Sequence, residues 1–357
     1  MEGKGLHILL SSLSLVALLV IQSADADVPA IYVFGDSSVD VGNNNYLSMN
    51  AGKANFPFNG IDFPGGVPTG RFGNGYVLSD YMAKVYGFKS SPPPFLSLTS
   101  ETFGKIFSGV NFASGGSGIL DTTGVEITMT QQLHYFSTVV SNLTLHIGKA
   151  SVDRLLSESL FLISTGGNDL YADFIQFGPQ NNTHKDEYVA FLISKYEDQL
   201  KELYSFGARK FGILGMGFLG CSPAARGSTP SGDCVEDLNV YSQKFNRAAI
   251  AMLRRLQSSS EGMKYSFGDS IKFWTNIMSD PHLYGLKELK SACCGRGRFN
   301  GESLCTPNAT YCPNRHQYMY WDLFHISQAI CKFTVQAFYD DGALRFVYPI
   351  TFKQLAT

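Results

Sequence analysis

Four short runs of this chain carry the residue types from which a reactive hydroxyl group can be assembled. The first is Gly35-Asp36-Ser37-Ser38, directly after the apolar run Ala30 to Phe34. A small hydroxyl residue just past a buried strand sits on rigid backbone at the edge of a sheet. That placement suits Ser37 to nucleophilic attack, although Gly-Asp-Ser is also ordinary turn chemistry. The second run, Ser114-Gly115-Gly116-Ser117-Gly118, follows an apolar stretch ending at Ala113. Its glycines leave backbone N–H groups free to converge on an anion. It is not a phosphate loop, which needs Gly-Lys-Ser/Thr after its glycines, nor a dinucleotide loop, whose glycines open a helix after the first strand. The third is Gly166-Gly167-Asn168-Asp169. The Asn168 amide can donate to a developing oxyanion, a contribution worth about 10²–10³ in rate; a plain Asn-Asp turn is the alternative. The fourth is Trp321-Asp322-Leu323-Phe324-His325. Asp and His three apart can face one side of a turn, so that the histidine takes a hydroxyl proton while the aspartate fixes its tautomer and stabilises the imidazolium. The alternative is a surface histidine near a helix start, with Asp322 as its cap.

Such groups need a scaffold that delivers them to one place. Short apolar runs at Ala30–Gly35, Phe107–Ala113, Leu160–Thr165, Lys210–Leu214 and Lys264–Phe267 read as buried strands, with helical patterns between them. From about Asp186 to Phe206, Val189, Leu192, Ile193, Tyr196, Leu200 and Leu203 recur at helical spacing, with Lys195, Glu197, Lys201 and Glu202 outward. A second helix starts near Asp233, which can cap it, and buries Phe245, Ala248, Ala249, Met252, Leu253 and Leu256. A last helix covers about Ser327 to Tyr339. Strands alternating with helices predict βαβ units and a parallel sheet, whose ligand site lies at the carboxyl ends of the strands. Three of the four runs follow a strand, and the fourth sits in the last loop.

The 357 residues are 44% apolar and 16% charged, with a net charge of −2, which provides a substantial core and no general pull toward nucleic acid or anionic lipid. There is no Gly-x-Ser-x-Gly elbow and no His-Glu-x-x-His, which argues against an ordinary α/β-hydrolase and against a zinc hydrolase. The N-terminus reads as a signal peptide over about 1–26. Lys4 is the basic start, Ile8 to Ile21 the apolar stretch, and Ala24-Asp25-Ala26 the cleavage site. The apolar stretch is shorter than the roughly 20 residues that span a bilayer, so a secreted chain without stable membrane insertion is expected. Of seven cysteines, Cys221 and Cys234 would close one loop, Cys293, Cys294, Cys305 and Cys312 could form two more bridges, and Cys331 is the odd thiol in a helical pattern. Asn142, Asn181 and Asn308 are acceptors for N-glycosylation in a secreted chain.

The four runs, in this order, resemble the blocks of the plant branch of the GDSL (SGNH-hydrolase) esterase/lipase family. FGDSSVDVGNNNYL (34–47) is similar to its nucleophile block, TGRFGNG (69–75) and NFASGGSGILDTTG (111–124) to its second region, GGNDL (166–170) to its third and WDLFHIS (321–327) to its last. The likeness covers essentially the whole mature chain, 27–357, as one domain. It implies a three-layer α/β/α sandwich around a five-stranded parallel sheet, flavodoxin-like in type. It also implies Ser37 as nucleophile and first oxyanion donor, a glycine N–H from the second block (Gly116 in preference to Gly115), Asn168 as side-chain donor, and Asp322 and His325 as the remaining triad. Two departures stand out: Ser38 occupies the position of the leucine that names the family, and Ile326-Ser327 replaces the Pro-Thr after the last histidine. Asp36 and Asp169 are expected to serve structural hydrogen bonds. The resulting expectation is a serine esterase acting through an acyl-enzyme on a small-molecule or polymeric ester, as a monomer and without metal or organic cofactor. Transfer to an alcohol and O-deacetylation of a polysaccharide use the same groups, and a non-catalytic lipid- or glycan-binding protein is the rival from another class. The segment Asn43–Phe63, with Tyr46, Phe56, Phe58 and Phe63, could line an acyl or aromatic site, ordinary loop packing being the simpler reading.

Overall fold

A computed structural model describes residues 26–48, 51–99, 106–124, 127–340, 342 and 344–357, so the expected leader, Ala26 apart, lies outside the described residues. Four of the apolar runs are strands: β1 (Ile31–Gly35), β2 (Leu160–Ser164), β3 (Lys210–Leu214) and β4 (Lys264–Gly268). They are buried almost residue by residue, as parallel strands covered on both faces must be. They pair in sequence order and in parallel, with Ile31 opposite Leu160, Leu160 opposite Lys210, and Lys210 opposite Lys264. All four therefore end on one rim, where they release the chain at Asp36, Thr165, Gly215 and Asp269.

Two short pairs stand apart from this sheet, β5 (Glu288–Ala292) with β8 (Tyr318–Tyr320), and β6 (Cys294–Gly295) with β7 (Thr310–Tyr311). The main sheet is completed by β9 (Val347–Pro349), which runs antiparallel to β4 with Phe267 opposite Tyr348. The expected all-parallel sheet is thus corrected: its fifth strand is antiparallel, and Phe107–Ala113 is not a regular strand. That segment does lie along β1, where Val33 N–H donates to the Val110 carbonyl (3.0 Å) and Phe112 N–H to the Val33 carbonyl (2.8 Å). It bridges only at Asn111, both to Val33 and to Pro94. The neighbouring Pro93 and Pro94 have no N–H to donate, so a ladder cannot extend on that side.

The helices are α1 (Leu78–Val85), α2 (Met129–Ile147), α3 (Lys149–Glu158), α4 (Gly167–Phe177), α5 (Asn182–Phe206), α6 (Pro223–Gly227), α7 (Glu236–Ser259), α8 (Ser270–Ser279), α9 (Gln328–Tyr339) and α10 (Phe352–Ala356). Helix α5 buries the stripe expected of it, and starts earlier because the Asn181 side chain caps it, accepting from His184 N–H at 2.9 Å. Helix α7 starts later than expected. Cys234 is bridged to Cys221, and Val235 N–H donates to the Gly220 carbonyl (2.8 Å), which keeps the chain extended until Glu236. Asp233 is therefore exposed ahead of the helix and does not cap it.

Alternation along the strands divides the core in two. Tyr32, Phe34, Phe161, Ile163, Phe211 and Phe267 join one apolar cluster with Phe136 of α2, Tyr196 of α5 and Phe245 of α7. Ile31, Val33, Leu160 and Leu162 join another with Met82 of α1, Phe273 of α8, Val335 of α9 and Phe352 of α10. Each such buried side chain is worth about 1.5–3 kcal/mol relative to exposure, so the sheet is clamped from both faces and its carboxyl rim is a rigid platform.

The cysteines pair as Cys221–Cys234, Cys293–Cys312 and Cys294–Cys305, with Cys331 a buried free thiol in α9. The last two bridges pack with Trp321 in a small separate core.

Candidate active site

The site begins where β1 stops. Gly35 has φ of 129°, and a Cβ placed there would lie 1.8 Å from the Ser164 carbonyl oxygen, so no other residue fits. Asp36 N–H then donates to Ser164 O (3.0 Å), and the Asp36 carboxylate accepts from Ser38 N–H (2.9 Å) and the Ser38 hydroxyl (2.6 Å). This local turn holds Ser37 half-buried at its apex, with its own N–H unpartnered among the described residues. The role of Asp36 here is the structural one expected.

His325 reaches Ser37 from the far end of the chain. Its Nε2 is 2.8 Å from Ser37 Oγ, and its Nδ1 is 2.8 and 2.9 Å from the two Asp322 oxygens. Asp322 also accepts from the N–H groups of Phe324 (3.0 Å) and His325 (2.8 Å), and Trp321 N–H donates to the His325 carbonyl (2.7 Å). The three-residue spacing thus makes a closed turn in which carboxylate and imidazole must meet. The replacement of Pro-Thr by Ile326-Ser327 leaves this contact intact. Phe72 packs 5.2 Å from the imidazole, centroid to centroid.

Burial alone would lower the His325 pKa, but the adjacent Asp322 carboxylate, reinforced by its hydrogen bond and by Asp36 further off, outweighs it and holds the imidazole above its ordinary value. Burial would raise Asp322, but the imidazole charge and the converging N–H donors leave its pKa below the usual carboxylate value.

The glycine loop and Asn168 meet the same rim. Gly115 N–H is engaged by Asp40 Oδ2 at 3.1 Å, whereas Gly116 N–H has no partner among the described residues. The Asn168 amide gives one hydrogen to the Ser117 carbonyl (2.8 Å), which orients the group and leaves the second hydrogen available. Asp169 accepts from Ile119 (2.8 Å) and Leu120 (3.0 Å) N–H groups, tying the start of α4 to this loop, again a structural role.

Residues that the motifs did not single out hold the loop in place. Buried Asp40 accepts from Gly42 N–H (2.7 Å) and Asn43 N–H (2.8 Å) as well as from Gly115; burial pushes its pKa up to about 6, against the pull of these donors and of Arg71. The Asn43 amide donates to the Asn111 (2.9 Å) and Ala113 (2.8 Å) carbonyls, and the Asn44 amide to the Gly115 carbonyl (2.9 Å). Gln132, fully buried on α2, exchanges hydrogen bonds with the backbone of Gly35 (2.8 and 2.9 Å). A sequence signal existed for Gln132: an amide on the apolar stripe Met129, Leu133, Phe136 must find partners when buried.

The aromatic segment follows the loop-packing reading of it. Tyr46 is exposed, Phe58 packs 4.4 Å from Tyr311, and Phe63 packs 5.0 Å from Tyr76. None of these lines the cavity of about 140 Å³ that opens beside His325. Of the glycan acceptors, Asn308 lies on an exposed loop, Asn181 caps α5, and Asn142 is half-buried within α2. Among the described residues no cluster of His, Cys, Asp and Glu could hold a metal ion, and no helix is long and apolar enough to cross a membrane.

A serine hydroxyl hydrogen-bonded to an imidazole that is itself held by a carboxylate, beside open N–H donors, is the arrangement an acyl-transfer hydrolase requires. Residues 31–338 match the family model of the GDSL-like lipase/acylhydrolases. The chain is 35% identical over 344 residues to GDSL esterase/lipase At5g55050 of Arabidopsis thaliana, covering 93% of this chain and 91% of that one. It is 38% identical over 317 residues to At5g18430 and 36% identical over 315 residues to At5g37690, both GDSL esterase/lipases of the same plant, each alignment covering 86% of this chain and 87% of the relative. The chain belongs to the GDSL lipase/acylhydrolase family and is a carboxylic ester hydrolase.

Proposed function

We propose that this enzyme cleaves esters by two-step acyl transfer, with Ser37 as nucleophile, His325 as general base and acid, and Asp322 as the group that orients and charges-balances the imidazole. The reading is carried by the continuous hydrogen-bonded line from Ser37 Oγ through both ring nitrogens of His325 to Asp322. Ser37 Oγ bonds to the carbonyl carbon as its proton passes to His325 Nε2. The carbonyl oxygen becomes an oxyanion that the Ser37 and Gly116 N–H groups and the Asn168 amide would receive. His325 then protonates the departing alcohol oxygen as its bond to carbon breaks. Water, deprotonated by the same ring, releases the acid and restores Ser37.

The scaffold is read as a three-layer α/β/α sandwich over 27–357. Apolar helix faces on both sides of the sheet support this, and counting 107–113 beside β1 gives the order 2-1-3-4-5 of a flavodoxin-like sheet. Three disulfides support maturation in an oxidising compartment, consistent with secretion after removal of about 1–26 and with glycan attachment at Asn142, Asn181 and Asn308.

The test is Ser37→Ala. Hydrolysis of a short p-nitrophenyl ester is expected to fall by about 10⁴ or more, with unchanged melting temperature, and a fluorophosphonate is expected to label Ser37 of the wild type alone. Retained turnover would reject the assignment.

A further inference from the structure

The cavity beside His325 has walls from several parts of the chain, with Phe72, Val77 and Leu78 and the end of β2 among them. Asp36 and Ser38, the neighbours of Ser37, form one side, and Phe324, His325 and Ile326 another. Leu214, Met216 and Leu219 enter from the end of β3 and the loop after it, and Trp274 from α8. Its inner end is closed by Cys331 and Thr334 of α9, both buried. Polar atoms come from the strand ends and from His325, Ser270 and Thr334, and the remaining lining is apolar. We propose that this cavity receives the acyl chain of the ester and limits it to roughly six carbons, with Trp274 setting the limit. The proposal rests on Ser37 being the nucleophile.

Three observations lead there. The volume of about 140 Å³ is close to that of an apolar cavity known to take up one benzene molecule, about 150 Å³. The two arms of an ester also have different needs. The alcohol must leave, and water must enter in its place, before the second step; the acyl arm stays bonded to Ser37 Oγ throughout. A mainly apolar recess beside the nucleophile suits the arm that stays, and the solvent side of the site suits the arm that leaves. Finally, the wall at Trp274 is tight: a Cβ on Gly217 would lie 2.6 Å from the indole ring, and Tyr320 packs edge-on against that ring at 6.1 Å. The indole has little room to move aside for a longer chain.

The experiment measures kcat/KM for p-nitrophenyl esters from acetate to dodecanoate, and for acetates of alcohols of increasing length. It uses wild type, Trp274→Ala and Leu214→Phe, with intact sites counted by fluorophosphonate labelling. Since a methylene that a pocket accepts or refuses changes kcat/KM by about tenfold or more, wild type should peak at butanoate or hexanoate and fall at least about tenfold by dodecanoate. Trp274→Ala should move the optimum to longer acyl chains, and Leu214→Phe toward acetate. Either variant alone suffices if the other fails to fold. Ester cleavage with an acyl profile unchanged in the variants overturns the proposal. A profile that follows alcohol length instead assigns the cavity to the leaving arm and overturns it too. No cleavage and no labelling in wild type is a separate failure, that of Ser37 as nucleophile.

Discussion

Among the described residues, two Asp–His pairs are of similar construction. In one, Asp322 holds His325 at 2.8 and 2.9 Å. In the other, Asp173 of α4 holds His184 of α5 at 3.1 and 3.2 Å, and also accepts from the Tyr241 hydroxyl at 2.5 Å. Both carboxylates are buried. The difference lies on the far side of each ring. His325 presents its second nitrogen to Ser37, whereas His184 turns its Nε2 to the aspartate and is flanked by Phe177 and Tyr188. His184 lies between two helices that serve the core, and His325 lies on the rim where strands end. An acid–imidazole pair becomes reactive through the third group that the sheet delivers to it.

The largest effect that would break this contrast comes from Asp322→Asn. It should lower kcat by about 10⁴ while leaving the fold intact, because the amide favours the wrong tautomer; stopped-flow or endpoint ester assays would read it. Asn168→Ala should cost about 10²–10³ in kcat with little change in KM, as expected of a donor used mainly in the transition state. The pH profile comes next. Catalysis needs neutral His325, whose pKa is raised, so kcat/KM should fall as pH drops through a value above 6.5, the ordinary position of an imidazole. Stability runs the other way. A raised histidine stabilises fully below its unfolded pKa and loses that contribution as pH rises through its folded one. Asp322, lowered, stabilises above its unfolded value and loses this as pH falls through its folded one. The pair should therefore contribute most to the melting temperature between the two unfolded values, 3.8 for the carboxylate and 6.5 for the imidazole, on the acid side of the activity optimum. The smallest effect belongs to His184→Ala: kcat within about twofold of wild type, with about 1 kcal/mol lost from unfolding stability as buried Asp173 keeps only part of its hydrogen bonding. A large loss of activity there would erase the distinction between the pairs.

What could be read in advance was whatever is local. Ser37 was visible because it follows an apolar run, and Asp322 with His325 because three residues along one turn bring two side chains together. The stripe of α5 was visible for the same reason. Features set by distant partners were not. β9 has three residues, too few to show alternation. The irregular course of 107–113 depends on Pro93 and Pro94 across from it. Four clustered cysteines allow three pairings, and only the fold selects 293 with 312 and 294 with 305. The engagement of Gly115, which leaves Gly116 open, depends on Asp40, 75 positions earlier.

The disulfide-bonded segment bears on where a working enzyme can be made. Cys293 and Cys294 donate their N–H groups to the Tyr320 and Trp321 carbonyls, and the Trp321 indole donates to Asn59. The strand that carries Asp322 and His325 to the rim is thus fastened to two cross-links, while Ser37 is fastened to the sheet. In a cytoplasm that keeps thiols reduced, the expected outcome is that the hydroxyl stays where β1 puts it while the imidazole loses its fixed position. Protein made in a host that oxidises its exported proteins is accordingly expected to show higher turnover per folded molecule than protein made in a reducing cytoplasm, which an ester assay on the two preparations checks.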